Sequence, residues 1–430
     1  MSLKKNTILV FALKILIAFL GFAFNWLLAK MIGAKGIGDY QIILTFLMIS
    51  ALIAEMGINT ATLRLVSASL ATNQISNAKE YCLLAIEYIL ISTTTVTLLI
   101  FLFTNFFFSV FFPTKLNLVY IILFTALGII PFVLGNLFAE ILKAFGNFQL
   151  SIWMQNGFSP LFSSIGLVIL WYFDSVNVYN VVYIYIFSLW FNLFISIYFF
   201  YSHRPEKWNK INLESYKNNK ILRKSALQLW IVSLAASSIG YIDILFIGLW
   251  IGAKEAGIYV VAKKVAALNV FLLTSVNTVV ASQFAGLFAQ NKLDRLKELS
   301  QKATKNLFWS GLILLIFFII CAKPILGIFG ETFKEGYIVL IIMSFGQFIN
   351  VATGSVGYLL TMTGHESLYK TNILISSAIT ILLFIVLIPL FSITGAAIAS
   401  ASTLAFQNLR TAWLVKKRLG FYTLELIYGK

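Results

Sequence analysis

The sequence has few charged residues and very little cysteine or histidine. Only 11% of its 430 residues are charged, whereas 60% are hydrophobic; soluble proteins carry about twice that share of charge. Cys82 and Cys321 lie far apart in apolar runs, so we expect neither a disulfide framework nor a cysteine metal cluster. His203 and His365 lie in polar segments and offer nothing on which a histidine-based site could be built.

The motifs of common catalytic and nucleotide sites are also absent. The sequence contains no Walker A, HExxH, GxSxG or GxGxxG pattern. A phosphate group needs a glycine-rich cradle, so ATP-driven pumping by this chain alone is not expected. We therefore predict a non-enzymatic protein without a cofactor or a metal.

What is abundant is apolar sequence in runs long enough to cross a bilayer. A spanning helix needs about 20 predominantly apolar residues. Twelve segments meet this requirement, and the first is interpreted as an uncleaved transmembrane helix rather than a signal peptide. The predicted spans are 8–30, 40–63, 81–104, 117–139, 150–173, 178–201, 226–251, 258–282, 305–323, 336–362, 371–392 and 395–415.

The basic residues predict the orientation of these spans. With the N-terminus inside, 22 of the 32 Lys and Arg residues fall in cytoplasmic segments and six fall on the opposite side. This asymmetry predicts that both termini are cytoplasmic. It also accounts for most of the net charge of +16, because juxtamembrane cations contact anionic membrane lipids. No loop offers the basic, aromatic-rich face that nucleic-acid binding would require.

The chain contains an internal duplication. Residues 33–40 (GAKGIGDY) align with residues 252–259 (GAKEAGIY) at an offset of 219, with five of eight positions identical. Half of twelve spans is an even number, so both copies enter the membrane with the same orientation, as in one class of transporters. We predict an all-α polytopic membrane protein whose twelve transmembrane helices form two parallel-repeat six-helix lobes around a central cavity. The predicted boundaries are 1–202 and 225–430 for the lobes and 203–224 for a basic cytoplasmic linker.

Short motifs carry a resemblance to a known family. They are Gly33-Ala34 with Gly38 and Tyr40, residues 55–58 (EMGI) and 64–67 (RLVS), and, in the second half, residues 241–243 (YID) and 252–263. With these motifs the chain resembles the polysaccharide transport family of Wzx-type O-antigen flippases, within the multidrug/oligosaccharidyl-lipid/polysaccharide exporter superfamily. The chain has twelve predicted spans, whereas lipid II flippases usually carry two more.

The resemblance implies a function and a location. It implies alternating access and movement of an undecaprenyl-diphosphate-linked oligosaccharide, such as an O-antigen or similar surface polysaccharide repeat unit, from the cytoplasmic to the periplasmic leaflet. It implies the bacterial inner membrane as the location, with other polysaccharide-assembly membrane proteins as further partners. A lipopolysaccharide repeat unit is one substrate of this class.

Ionisable residues inside the predicted spans are candidate functional residues, because each costs energy at membrane depth. Asp243 lies about 13 Å inside the seventh span; it is a candidate for ion coupling, and the alternative is a buried salt bridge. Lys263, Lys264 and Lys14 are candidate substrate contacts, because cations would offset desolvation of a diphosphate. Adjacent positions of a helix diverge by about 100°, so Lys263 and Lys264 should face different directions.

Further acids and amides complete the candidate site. Glu55 and Glu87 lie within spans and are candidates for carrying a proton or for a cavity salt bridge; the alternative is an inert side chain. Two amide pairs, Gln155 with Asn156 and Gln347 with Asn350, could bind sugar hydroxyls, although amides in spans more often join helices.

Two other functions remain open at this point. A cation-coupled multidrug antiporter of the same superfamily would suit an acidic cavity, whereas this chain places both lysine and aspartate in its spans. A membrane-embedded polysaccharide polymerase would carry a large outer loop with catalytic Arg or His. The longest predicted outer loop, near 324–335, has about a dozen residues and no histidine, so this third function is disfavoured.

Overall fold

A computed structural model describes residues 3–103, 123–205, 208 and 219–424, and every regular element within these ranges is helical. Part of the fourth predicted span, 117–139, lies outside the described residues. In the first half the helices are α1 (Leu3–Glu55), α2 (Ile58–Ala71), α3 (Ile75–Leu102), α4 (Ile129–Ala144), α5 (Phe148–Ile152), α6 (Phe158–Tyr172) and α7 (Val178–His203). They are followed by α8 (Asn219–Trp250), α9 (Ala253–Ala266), α10 (Val270–Ala289), α11 (Leu293–Gly327), α12 (Tyr337–Ala352), α13 (Val356–Met362) and α14 (Glu366–Leu419).

The helices are long because their sequence is apolar, and in lipid a helix satisfies all of its own backbone hydrogen bonds. Among the described residues, eight helical stretches are long and apolar enough to cross a membrane. The longest two are interrupted: α1 has a non-helical residue at Gly33 (φ 64°, ψ −174°) and α14 has one at Ser392 (φ 54°, ψ −140°). The protein is thus a multi-pass membrane protein whose described regular elements are all helical, as the hydropathy pattern predicts.

One predicted span differs from the structure in detail. The second predicted span, 40–63, is interrupted at Met56 and Gly57, which both have positive φ values (49° and 70°). Residues 219–224 of the predicted basic linker are helical and belong to α8; the boundaries of the linker remain a prediction. Pro389 lies inside α14, three residues before the break at Ser392, as a proline kink predicts.

The chain divides into two compact units. The first unit contains Met1–Ile32 and Asp39–Tyr241, and the second contains Gly33–Gly38 and Ile242–Lys430. Tyr241 and Asp243, close in sequence, therefore belong to different units. The lobe boundaries that the duplication suggests, 1–202 and 225–430, remain a prediction.

Each unit has a helix at its centre. In the first unit α4 packs against α2, α3 and α7, and its residues Ala139 and Leu142 form a buried cluster with Met154. In the second unit α12 packs against α11 and α14. Both central helices carry polar side chains, among them Glu140 on α4 and Gln347 on α12.

Candidate functional site

The first unit holds an irregular turn that presents the predicted amide pair Gln155 and Asn156. Between α5 and α6, residues Trp153–Gly157 form a π-helical turn. Such turns insert an extra residue into a helix and are frequent at functional sites. Gly157 packs against the Trp153 ring so closely that a Cβ there would overlap it. The turn therefore requires glycine at this position.

Gln155 is held by a carboxylate on α4. Its Nε2 donates a hydrogen bond to Glu140 Oε1 at 2.7 Å. Lys143, one turn further along α4, lies 3.3 Å from the same carboxylate. The Glu140 side chain is only 16% exposed. A carboxylate, an ammonium and an amide form one polar network at the end of α4.

A cavity of about 250 Å³ opens beside the π-helical turn. We call it the amide cavity, because its polar lining is formed by Asn136, Gln155, Asn156 and Asn192. Asn192 on α7 is 5% exposed, and its Nδ2 donates to the Met154 carbonyl at 2.9 Å. Its Oδ1 is buried without a hydrogen-bond partner among the described residues. A buried amide oxygen that lacks a donor favours a ligand that brings one.

Aromatic rings complete the amide cavity. Phe132, Tyr185 and Tyr241 line it together with the amides. Convergent polar groups set in an apolar and aromatic wall are typical of small-molecule sites. Amide groups can both donate to and accept from hydroxyls, so the cavity matches a polyhydroxylated ligand.

A second cavity of the first unit, about 280 Å³ in volume, adjoins the amide cavity. We call it the carboxylate cavity, because Glu55 and Glu140 both line it, with Asn59 and Thr60. The two cavities share Phe132, Asn136, Gln155 and Asn156. The structure thus brings three predicted site residues, Glu55, Gln155 and Asn156, to one place.

The second unit holds a buried ion pair. Asp243 on α8 is 1% exposed, and its Oδ2 accepts hydrogen bonds from Lys263 Nζ at 2.5 Å and from Tyr259 Oη at 2.7 Å. Its Oδ1 accepts from the backbone N–H of Ile244 at 2.8 Å. Tyr259 also lies 3.2 Å from Ser400 Oγ on α14. Since Lys263 is 29% exposed, the carboxylate is sealed behind a lysine that reaches solvent-accessible space.

The break between α8 and α9 makes this pairing possible. Gly252 adopts φ 150° and reverses the chain, so that Tyr259 and Lys263, one turn apart on α9, both face Asp243. Lys264 is exposed, in agreement with the expected divergence of the two lysines.

Three further predicted residues, Gln347, Asn350 and Glu87, are not among those that line the two cavities. Gln347 and Asn350 lie on one face of α12, and Asn350 Nδ2 donates to Gln347 Oε1 at 3.2 Å. Glu87 is exposed on α3 and lines neither described cavity. The side chain of Lys14 lies outside the described residues.

The two copies of the repeated motif contact each other within the second unit. A Cβ on Gly38 would overlap the Ala253 carbonyl, and one on Gly257 would overlap the Ala34 carbonyl. Gly38 and Gly257 are equivalent positions of the duplication, as are Ala34 and Ala253. The contact is therefore reciprocal, as in an interface around a local two-fold axis.

Comparison with known proteins identifies the family. A family model described as "Polysaccharide biosynthesis protein" matches residues 3–285, well over half of the chain. The chain belongs to the polysaccharide biosynthesis family. This membership confirms the resemblance drawn from the short motifs, and the matched range includes both cavities of the first unit and the Asp243–Lys263 pair.

Relatives of this polysaccharide biosynthesis protein are named as flippases or transporters. It is similar to the probable low-salt glycan biosynthesis flippase Agl15 of Haloferax volcanii, with 24% identity over 199 residues. That match covers 45% of this chain and 42% of the relative, so the chain spans less than half the length of that relative.

Two solved structures share the fold of the polysaccharide biosynthesis protein. The lipid II flippase MurJ, in an inward closed conformation, has a TM-score of 0.77 at 16% identity and covers 95% of this chain and 87% of its own. A multidrug resistance MATE family transporter of the MOP superfamily, in an inward-facing conformation, has a TM-score of 0.72 at 13% identity, with 94% of both chains covered. At these identities the likeness establishes the fold.

Sequence reasoning missed several residues of the site in this family member. Tyr259 is one of the five identical positions of the duplication, which was a usable signal. Asn59 was not singled out, although its spacing of four residues from Glu55 was a usable signal. Ser400 was missed because residues 141 positions apart in the chain can be paired only from the fold.

Proposed function

We propose that the chain is a flippase that moves an undecaprenyl-diphosphate-linked oligosaccharide, such as an O-antigen repeat unit, from the cytoplasmic to the periplasmic leaflet of the bacterial inner membrane by alternating access. The family and the glycan flippase relative support a lipid-linked glycan as the substrate class. The observation that carries the proposal is the Asp243–Lys263 pair.

The lysine of this pair suits a diphosphate. A diphosphate head group brings at least two negative charges into a region where Coulomb interactions are strong, and an ammonium group offsets the cost of its desolvation. Without substrate, Asp243 neutralises Lys263, so no uncompensated charge is buried. We infer that the diphosphate competes with Asp243 for the exposed part of Lys263. Lys264, which is exposed, and Lys14 are further candidate contacts.

The amide cavity suits the sugar part of such a substrate. Sugar hydroxyls could bond to the exposed amide of Asn156. Tyr185 and Phe132 would cover the apolar faces of the sugar rings. Gln347 and Asn350 are retained as additional candidate contacts in the second unit.

The proposed architecture follows from the two interrupted helices. If α1 and α14 each contain two crossings, divided at Gly33 and Ser392, the eight membrane-length stretches provide ten crossings. The α5–α6 segment and α8 would supply the other two. With both termini cytoplasmic, the basic residues contact the anionic lipids of the inner leaflet. The two lobes of the duplication would then be the bodies that alternate.

A cation-coupled multidrug antiporter is the second candidate. The observation that favours it is the pair of carboxylates, Glu55 and Glu140, in one cavity of the first unit. The two functions are separated by expressing the chain in a host that lacks its own glycan flippase. Restored surface polysaccharide supports the flippase, whereas resistance to cationic dyes without polysaccharide supports the antiporter.

We predict that Asn156→Ala weakens binding of the glycan part of the substrate. Losing one or two hydrogen bonds of about 1 kcal/mol each corresponds to roughly 5- to 30-fold weaker binding. Binding is measured on purified protein with a short-chain lipid diphosphate, once with and once without its oligosaccharide. Only the glycosylated ligand should bind more weakly.

The control is Asn306→Ala, which removes an exposed amide from α11, far along the chain from the amide cavity. It should bind both ligands as the unchanged protein does. If Asn156→Ala weakens both ligands equally, or neither, the assignment of the amide cavity to the sugar is wrong.

A further inference from the structure

A third cavity of the first unit lies between the end of the first part of α1 and the end of α6 with the turn that follows it. Its volume is about 700 Å³, within the range typical of ligand pockets. We call it the two-charge cavity, because its described lining contains one cation, Lys30, and one anion, Asp174. The other lining residues are apolar: Leu27, Met31, Val168, Trp171 and Val176. None of these residues lines the amide cavity or the carboxylate cavity.

The walls of the two-charge cavity are one face of α1 and one face of α6. The three lining residues of α1 have the spacing i, i+3, i+4, and the two of α6 are three residues apart, so each set lies on one side of its helix. α1 is interrupted at Gly33, and α6 ends at Tyr172. The cavity therefore lies where both helices end their regular course.

Exposed aromatic side chains indicate that this cavity is at a membrane surface. Trp171, Tyr172 and Phe173, at the end of α6, are 61%, 77% and 69% exposed. Tryptophan and tyrosine are enriched where the membrane meets water, at the level of the lipid head groups. The predicted first and fifth spans, 8–30 and 150–173, run in the same direction and end at the two walls of the cavity. A lipid head group is therefore a ligand within its reach.

Asp174 occupies a position where a helix-ending turn favours glycine. It has a positive φ of 48°, its N–H donates to the Trp171 carbonyl at 3.1 Å, and the N–H of Ser175 donates to the Leu170 carbonyl at 3.0 Å. Glycine is the usual residue at this left-handed position, and asparagine also adopts it. The turn itself does not require a carboxylate, so asparagine or glycine can replace Asp174 without breaking it.

The two charges of the cavity are available to a ligand. Both side chains are exposed, and neither forms an ion pair with any residue that the structure describes. At the offset of 219 that aligns the duplicated motif, Lys30 corresponds to Leu249 and Asp174 to Ile393. The second copy carries neither charge, so this kind of helical repeat does not need them.

Opposite charges in one cavity select a zwitterionic head group. A phosphate accepts charge-assisted hydrogen bonds from the Lys30 ammonium, and a primary ammonium donates them to the Asp174 carboxylate. A diphosphate would be repelled by Asp174, and a cationic drug would be repelled by Lys30. Phosphatidylglycerol has no cationic group, and the quaternary ammonium of phosphatidylcholine has no N–H to donate. The apolar part of the lining suits the beginning of the acyl chains.

From these observations we infer that the two-charge cavity is a binding site for phosphatidylethanolamine. The phosphate of the lipid contacts Lys30, and its ammonium contacts Asp174. The aromatic and aliphatic side chains of both walls pack against the glycerol and the first carbons of the acyl chains. This binding follows from the cavity alone and does not depend on the proposed function.

Binding is tested on the purified full-length chain in detergent, with short-chain phosphatidylethanolamine, phosphatidylcholine and phosphatidylglycerol. The affinity for each lipid is measured by native mass spectrometry. We expect phosphatidylethanolamine to bind at least about ten-fold more tightly than the other two, the factor that one charge-assisted hydrogen bond supplies.

Two variants separate the contributions of the two charges. Asp174→Asn should weaken phosphatidylethanolamine by about ten-fold while phosphatidylglycerol binds no more weakly than before. Lys30→Gln should weaken both lipids, because both carry a phosphate. The control is Lys35→Gln, which removes an exposed lysine of α1 that does not line the cavity, and it should leave all affinities unchanged.

Four results would overturn the site. These are equal affinities of the unchanged protein for phosphatidylethanolamine and phosphatidylglycerol, an unchanged affinity for phosphatidylethanolamine in Asp174→Asn, and an equal loss in Lys35→Gln and Lys30→Gln. The fourth is displacement of phosphatidylethanolamine by a lipid-linked diphosphate, which would assign the cavity to that substrate instead.

A further variant keeps the test informative if Asp174→Asn does not fold. Asp174→Gly places the favoured residue in the left-handed position, so its melting temperature should be no lower than that of the unchanged protein. It should lose the preference for phosphatidylethanolamine over phosphatidylcholine. A preference that survives in a folded Asp174→Gly protein would contradict the role of the carboxylate.

Discussion

Lys263→Met is expected to abolish glycan export, and adding Asp243→Asn is expected to restore the stability of the protein but not its export. Asp243 is 1% exposed, and Lys263 is its only ionic partner among the described residues. Removing the lysine alone leaves a buried carboxylate with only Tyr259 and a backbone N–H, which costs about 3–5 kcal/mol. Neutralising both groups removes that penalty, yet the cation for the diphosphate stays absent.

Comparing the single and double variants distinguishes an ion pair that serves only packing from one whose lysine contacts the substrate. If the pair serves only packing, the double variant should recover export together with stability. If Lys263 contacts the substrate, the double variant should fold and insert normally while export stays at least about ten-fold lower, the loss expected from removing one charge-assisted hydrogen bond. Export is measured as surface polysaccharide, and the protein in the membrane is quantified in parallel.

Lys254→Met is the matched control on the same helix. Lys254 pairs with Glu335 at 3.0 Å, but both side chains are largely exposed, at 44% and 56%. Exposed pairs contribute about 0–1 kcal/mol, so neither stability nor export should change appreciably. Asp243→Asn alone should be tolerated better than Lys263→Met, because the released lysine can still reach solvent.

The sequence predicted the fold class and marked both Asp243 and Lys263 as candidate functional residues, for identifiable reasons. Apolar runs of sufficient length can only be helices in lipid, and the duplicated motif marks equivalent turns in the two halves. The sequence alone did not predict that Asp243 pairs with Lys263 rather than with Lys264. The pairing depends on how α9 is rotated after the reversal at Gly252, and adjacent residues on a helix differ by about 100°.

The amide and carboxylate cavities of the first unit could not have been predicted from the sequence. Gln155 and Asn156 were predicted as sugar contacts, but nothing in their residue types indicates a π-helical turn. That turn depends on packing of Gly157 against Trp153. Likewise, no local pattern pairs Trp230 with the Leu52 carbonyl, 178 residues away in the chain. Such features are set by tertiary contacts and carry no local pattern.

Gly38→Ala and Gly257→Ala are expected to impair export and to destabilise the protein by similar amounts. Each new methyl group would overlap a carbonyl oxygen, that of Ala253 for Gly38 and that of Ala34 for Gly257. Inserting an atom into a well-packed contact typically costs about 1–3 kcal/mol. The two segments must therefore move apart, and any state in which they are in contact becomes less populated.

The duplication makes this prediction unusually specific, because the two contacts are reciprocal copies. The losses in melting temperature should be equal within error for the two single variants. The double variant should lose less than their sum, since the first methyl group already separates the segments. Gly21→Ala is the control and should raise the melting temperature. A Cβ there meets no atom within 4 Å, and alanine in a helix is favoured over glycine by about 1 kcal/mol. Unequal losses, or normal export by both variants, would show that the close approach of the repeated motifs is not required for transport.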